Sequence, residues 1–147
     1  MTFEELVDAA GRRLGVALAA RDGAARLLVD GMAVDVLDVA ACGAVALRGV
    51  VGAPPPQGLA PLHRAMLEAN FGFAGTGGAT LAVNPESGEL TLERAAPLAG
   101  LDAEAFLALL ERFVNVLEAW RATVADYRPP AEPPPDAPPA DDGYLPV

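Results

Sequence analysis

Lysine is absent from this chain, and cysteine, histidine and aromatic residues are scarce. All ten basic residues are arginine, and 20 acidic residues bring the formal net charge to −10. Nucleic acids and anionic membrane surfaces are bound through basic surfaces, so this balance argues against both as partners. An acidic surface instead favours solubility, or a protein partner with basic segments.

The sequence contains few residues that are suited to catalysis or to metal binding. Cys42 is the only cysteine, so it cannot form an intramolecular disulfide, and the cysteine pairs of metal sites are missing. His63, the only histidine, has no acid or nucleophile beside it in sequence. Acidic pairs such as Asp35 with Asp38 lack the aromatic-lined cleft of a glycosidase. We therefore predict no catalytic residue, no cofactor and no metal site.

Long apolar runs are missing too, although 52% of the residues are apolar. No stretch of about 20 apolar residues is present to span a membrane. The first residues, MTFEELVDAAGRR, lack the basic start and apolar run of a signal peptide. A chain of 147 residues is long enough for one domain with a hydrophobic core. We expect a cytoplasmic protein.

The first half of the chain changes from a helical period to a strand period. Residues 2–14 begin with the capping-box pattern of Thr2 and Glu5 and carry apolar residues at helical spacing, which predicts an amphipathic helix. Residues 25–51 are rich in Val and Leu in near alternation, with a hairpin turn at Asp-Gly 30–31. This pattern predicts three antiparallel strands in a meander.

The second half predicts a helix, a hairpin and a longer helix. The rigid break GAPPPQG precedes a helix over 59–71, and the turn NPESG lies inside a hairpin over 79–94. Asp102 is a favourable N-cap for a third helix that continues to about residue 126. The order α-β-β-β-α-β-β-α predicts an α+β fold, an antiparallel five-stranded sheet with three helices.

The end of the chain has a different composition. Residues 127–147 hold eight of the 14 prolines and, after Arg128, four acidic residues and no base. Such a segment buries too little apolar surface to fold, so we predict a domain over 1–126 and a disordered, Pro-rich acidic tail over 127–147. We interpret the apolar residues 144–147 as a loose end, with a docking tag as the alternative.

The predicted elements carry more apolar surface than one small domain can cover. The stripe on the second helix predicts one uncovered patch, and the first helix with the first three strands predicts another. Large exposed apolar patches usually mark partner sites. Homodimerisation through the second helix would cover the first patch and leave the second for a client protein.

Residues 67–120 have the order and spacing of a known family. LEANF is followed by a Gly-rich gap, then ATLAVNPESGELTLERAAPLAGLD, then AFLALLERFVNVLEAW. On these landmarks the chain resembles the class I type III secretion chaperones of the Tir-chaperone type, over most of residues 1–125. The landmarks are structural, so they indicate the fold and leave the client open.

The resemblance implies a small cytoplasmic homodimer that binds the N-terminal region of an effector and keeps it stable and secretion-competent. The client would bind in an extended form, and no nucleotide is implied. The dimer-interface residues implied by position are Leu59, Leu62, Met66, Leu67, Phe71, Leu81 and Val83. The implied effector-binding residues are Phe3, Leu6, Leu28, Val34, Val36, Val45 and Leu47.

Two other functions remain open at this point. A regulatory or sensory protein-binding domain can share this fold without serving a secretion system. A small enzyme is the third interpretation, and a ligand in a closed pocket would favour it.

Overall fold

Thr2 caps the first helix, as the sequence predicts. Its hydroxyl accepts a hydrogen bond from the Glu5 N–H at 3.2 Å, and the Glu5 carboxylate accepts one from the Thr2 N–H at 2.7 Å. This reciprocal capping box satisfies backbone donors that an uncapped helix leaves unpaired. The helix ends at Gly15, whose φ of 69° lies in the left-handed region that glycine adopts readily.

The computed structural model describes residues 1–131, so residues 132–147 of the predicted tail lie outside the described residues. The helices are α1 (Phe3–Leu14), α2 (Ala60–Asn70) and α3 (Ala103–Asp126). The strands are β1 (Ala24–Val29), β2 (Met32–Val39), β3 (Ala44–Gly52), β4 (Thr80–Val83) and β5 (Leu90–Pro97). The predicted order α-β-β-β-α-β-β-α and the α+β class are confirmed.

The five strands form one antiparallel sheet in the order β1-β2-β3-β5-β4. The β4–β5 hairpin therefore joins the meander through β5, which pairs with β3. Strands β1 and β4 lie at the two edges. An edge strand presents unpaired backbone groups, so what covers each edge decides where another chain can add.

The hydrophobic core lies between one face of the sheet and the helices. Val34, Val36 and Leu47 point to this face and are fully buried. Helix α3 packs across β3, where a Cβ built on Gly49 would come within 2.6 Å of Leu117 Cδ2. The missing side chain at Gly49 therefore allows this close approach of helix and strand.

The other face of the sheet carries a row of charged residues in register. Arg26 pairs with Asp35, Asp35 with Arg48, Arg48 with Glu93, and Glu93 with Thr80 across the five strands. Ion pairs of 2.7 Å join Arg26 to Asp35 and Arg48 to Glu93. Opposite charges at directly paired positions stabilise this register.

Two further findings concern residues 1–131 alone. None of their helices is long and apolar enough to cross a membrane. Their His, Cys, Asp and Glu side chains form no cluster of three or more suited to hold a metal ion.

Candidate protein-binding surfaces

The large apolar side chains that stay exposed in the described part of the chain fall, apart from Met1, into two groups at opposite edges of the sheet. The first group is Leu14, Val16 and Leu28, which are 43%, 46% and 71% exposed. The second group is Leu67, Phe71, Phe73 and Val83, which are 70%, 87%, 52% and 45% exposed. We call these regions the α1–β1 groove and the α2–β4 surface.

The α1–β1 groove is a cavity of about 640 Å³ between the end of α1, the edge strand β1 and the middle of α3. Gly15 ends α1, and the groove separates Leu14 and Val16, on either side of this glycine, from residues 27–30. Helix α3 provides the floor through Leu107, Leu110 and Val114. The groove thus offers apolar walls beside an edge strand.

The outer edge of β1 is open along the groove. The N–H and C=O of Ala24 both bond to Arg21, so they point away from β2. Alternation along an antiparallel strand directs the backbone groups of Arg26 and Leu28 to the same side. Within residues 1–131 these groups have no backbone partner outside the sheet ladder. Another chain can therefore pair with this edge.

The charged residues that line the groove are both acidic. Asp30 follows β1, and Glu111 lies on α3. A charge lining of one sign attracts segments of the opposite sign. The groove thus combines apolar walls with a preference for a segment that carries basic residues.

The α2–β4 surface surrounds a smaller hollow of about 260 Å³, lined by residues of both elements such as His63, Met66 and Val83. The Nε2 of His63 is buried and has no hydrogen-bond partner among the described residues. Leu67 lines this hollow and is exposed, and Phe71, the most exposed of the group, directly follows the last residue of α2. The surface therefore presents both apolar projections and an apolar depression.

Asn70 closes the β4 edge. Its Oδ1 accepts a hydrogen bond from the Leu81 N–H at 2.8 Å, and its Nδ2 donates one to the Leu81 C=O at 3.0 Å. The side chain thus replaces a neighbouring strand at this residue. The two edges differ as a result, because β1 is open for strand pairing while β4 is capped at Leu81.

Six of the seven predicted effector-binding residues lie in the hydrophobic core and not on the groove surface. Phe3, Leu6, Val34, Val36, Val45 and Leu47 are at most 2% exposed. Leu28, at 71%, is the one that reaches the surface. The sequence pattern identifies the apolar face of each element, but the helices cover most of that face.

The predicted dimer-interface residues divide in a similar way. Leu62, Met66 and Leu81 are buried within the chain, and Leu59 is half-buried. Leu67, Phe71 and Val83 are exposed, on α2, at its C-terminus and on β4. The buried residues hold α2 against the edge strand, and the exposed ones form the available surface.

Several surface residues were missing from the predicted sets. Leu14 and Val16 of the groove flank the glycine that ends α1, and Leu107 comes from α3. Phe73 adopts a φ of 59°, which is unusual for an aromatic residue. An apolar pair around a helix-ending glycine is a signal that sequence alone offers for the groove. No comparable sequence signal identifies Leu107 as a groove residue.

The fold and its two apolar surfaces define a small protein-binding domain. The sequence pattern of the Tir chaperone protein (CesT) family matches residues 5–121, and the chain belongs to this family. The family resemblance is thereby confirmed, and so is the prediction of a chaperone rather than an enzyme. A search of curated protein sequences finds no significant match.

Solved structures with a similar fold include chaperones bound to effectors. In the HopA1–SchA chaperone–effector complex the matching chain is 18% identical, with a TM-score of 0.69 over 82% of this chain and 93% of that chain. In the ExoU–SpcU complex of the Pseudomonas aeruginosa type III secretion system the matching chain is also 18% identical. Its TM-score is 0.61, over 84% of this chain and 94% of that chain. YbjN of E. coli, described as a proposed transcription regulator, is 13% identical, with a TM-score of 0.63 over 82% and 90%. At these identities the likeness concerns the fold alone.

Proposed function

We propose that the protein is a cytoplasmic, homodimeric type III secretion chaperone that binds the N-terminal region of an effector and keeps it stable and secretion-competent. The observation that carries the proposal is the difference between the two sheet edges. One edge is capped and bears exposed apolar side chains, which suits a second copy. The other is open and lies beside an apolar groove, which suits an extended client.

The α2–β4 surface is the proposed dimer interface. A two-fold interface uses the same patch on both copies, so projections and depressions must occur together. Leu67 and Phe71 are the projections, and the hollow beside His63 is the depression. Because Asn70 occupies the β4 edge at Leu81, we expect contact through side chains there rather than a continuous sheet across the dimer.

The α1–β1 groove is the proposed client site. An extended segment that pairs with the backbone of Arg26 and Leu28 would place alternate side chains in the groove. Leu28 and Val16 would contact its apolar residues, and Asp30 and Glu111 would favour basic ones. Chaperone–effector complexes among the proteins of the same fold support effector binding as the function, and the open edge and the apolar walls support the groove as its place.

Two matched substitutions test the two surfaces separately. Leu28 and Leu67 are 71% and 70% exposed, so Leu→Asp at either position removes a similar surface side chain. Light scattering after size exclusion should give twice the 15.0 kDa chain mass for the native protein and for Leu28→Asp. The mass of Leu67→Asp should fall to a single chain, because a carboxylate in an apolar interface costs free energy. A dimer that persists in Leu67→Asp would contradict the proposed interface.

Client binding is the second measurement, with the N-terminal segments of proteins encoded by neighbouring genes as calorimetric probes. We expect Leu28→Asp to weaken binding at least about tenfold, because a buried leucine side chain contributes about 1.5–3 kcal/mol and a tenfold change corresponds to about 1.4 kcal/mol. Unchanged affinity in Leu28→Asp would place the client elsewhere. Absence of binding by every probe would argue against the chaperone function.

A regulatory protein-binding domain is the alternative function. The fold likeness to YbjN, the E. coli protein described as a proposed transcription regulator, favours this candidate. The binding measurement separates the two functions. A chaperone binds an effector N-terminus, whereas a regulator binds a component of the transcription or signalling machinery and ignores the effector segment.

A further inference from the structure

A second large cavity is lined by residues that belong to neither the α2–β4 hollow nor the α1–β1 groove. It is a cleft of about 600 Å³ between the end of β3, the loop that follows it and the last turns of α3. Its apolar walls include Val51, Pro54 and Tyr127. We call it the β3–α3 cleft.

The charged residues that line this cleft are both basic, in a chain of net charge −10. Arg121 donates from Nη1 to the Val50 carbonyl at 3.1 Å, and Arg128 donates from Nη1 to the carbonyls of Ala125 and Tyr127 at 3.0 and 2.8 Å. Neither guanidinium forms an ion pair with a carboxylate of residues 1–131. A guanidinium has five N–H donors, so both keep donors for an anionic partner.

We propose that the β3–α3 cleft binds the chain's own acidic proline-rich segment, residues 132–142. This segment, EPPPDAPPADD, contains four carboxylates and five prolines and no base. Arginines fit the carboxylates through charge-assisted hydrogen bonds, and the cleft's proline and aromatic walls fit a proline-rich chain. The prolines favour an extended conformation beforehand, which lowers the entropy lost on binding.

The described residues that precede the segment lie near the cleft. The Tyr127 hydroxyl donates to the Gly58 carbonyl at 2.6 Å, and a Cβ built on Gly58 would lie 2.7 Å from the Pro129 Cβ. The chain after α3 therefore leaves alongside the loop that forms one cleft wall. At about 3.1 Å per residue, Glu132 and Asp136 are about 12 and 25 Å of chain beyond Arg128, so a short reversal brings them to the arginines.

Charge also argues against the other large cavity as the binding site of this segment. The charged lining residues of the α1–β1 groove are Asp30 and Glu111, which repel an acidic chain. The proposal thus assigns the two cavities to segments of opposite charge, with the client in the acidic groove and the tail in the basic cleft.

Paramagnetic broadening in the full-length chain tests the proposal. Cys42 is exposed and replaceable by serine, and Ala137→Cys then carries a single nitroxide inside the segment. We expect loss of amide signal intensity at Val51, Ala53 and Ala122, which line the cleft, and intact signals along the groove. In 1 M salt, where the screening length is about 3 Å, the cleft signals should recover.

Matched double variants distinguish binding by the two arginines of the cleft from a general effect of net charge. Arg121→Gln with Arg128→Gln should abolish the broadening, whereas Arg13→Gln with Arg21→Gln, which has the same net charge, should leave it intact. Amide spectra without the nitroxide check that each variant is folded.

Any one of the following results would overturn the proposal. The first is broadening at the groove instead of the cleft. The second is the absence of broadening at the cleft, or broadening that persists in the Arg121 and Arg128 variant. The third is broadening in a mixture of nitroxide-bearing chains and isotope-labelled chains without the nitroxide, which would assign the cleft to the tail of a second copy.

Discussion

The amide side chain of Asn70 bonds both backbone groups of Leu81, with Oδ1 accepting at 2.8 Å and Nδ2 donating at 3.0 Å. One residue at the end of α2 thereby fixes the helix to the edge of the sheet. Because of this contact, the β4 edge is capped while the β1 edge is open. The assignment of the dimer and client surfaces depends on this difference.

Asn70→Ala should destabilise the fold by about 2–6 kcal/mol, because it leaves two part-buried backbone groups without partners at about 1–3 kcal/mol each. Urea unfolding at one fixed protein concentration measures the loss. Asn115→Ala, at an exposed position of α3, is the control and should change stability by no more than about 0.5 kcal/mol. Equal midpoints for the two variants would show that the Asn70 contact contributes nothing to stability.

Gly49→Ala should destabilise the protein by about 1–3 kcal/mol, because the new Cβ would lie 2.6 Å from Leu117 Cδ2 and 2.8 Å from Cδ1. Leu117→Ala alone should cost about 2–5 kcal/mol, since it leaves a cavity under α3. The double variant should lose less than the sum of the two single losses, because each change relieves the other. Additive losses would mean that helix and strand do not contact each other at this point.

Tyr127→Phe should destabilise the fold by about 1 kcal/mol, because it removes the hydrogen bond from the hydroxyl to the Gly58 carbonyl, 2.6 Å away, and keeps the ring. Thermal unfolding of the native protein and of the Tyr127→Phe variant measures this difference in stability. If the native and variant proteins melt together, the residues after α3 are not anchored to the loop at Gly58.

Arg26→Gln should lower the free energy of unfolding by no more than about 1 kcal/mol, because the Arg26 side chain of the pair is 67% exposed on the outer sheet face. The hydrogen bond that Arg26 donates to Asp35, together with the negative charge of Asp35, raises the pKa of Arg26. A raised pKa in the folded state contributes stability at every pH below the unfolded value and loses it only as the pH rises through the folded value. The cost should therefore stay constant from about pH 7 to 10, where arginine remains charged in both states.

A double-mutant cycle with Asp35→Asn measures this pair, and its coupling energy should decrease as salt is added. A coupling energy well above 1 kcal/mol, or one that changes between neutral and alkaline pH, would contradict the description of an exposed pair.

Local chemistry allowed much of the fold to be predicted. The Thr2 and Glu5 capping box begins α1, and Asp102 caps α3 because its Oδ1 accepts a hydrogen bond from the Ala105 N–H at 2.8 Å. Both signals act within three residues, so the chain needs no distant contact to express them. The strand periods and the turns between them were equally local, and the family landmarks confirmed their order.

The candidate surfaces depended on contacts that lie far apart in sequence. Leu27 and Leu28 are neighbours of the same residue type, yet Leu27 is 6% exposed and Leu28 is 71% exposed. The alternation of side chains along β1 places Leu27 and Leu28 on opposite faces of the strand. It does not determine which of the two faces a helix covers. Val34 and Val36 are predicted as client contacts from the same alternation, and both lie fully buried in the hydrophobic core.

The sequence by itself therefore determined the elements, their order and the family, because capping, turn chemistry and periodicity are properties of short segments. Only the tertiary structure decided which apolar residues remain for partners. The exposure of an apolar residue depends on where its strand lies in the sheet and on what packs over that strand. Leu28 lies on the open edge strand β1, whereas Leu81 lies on the edge strand β4, which Asn70 caps. Burial is a property of the assembled layers, and no short segment carries it.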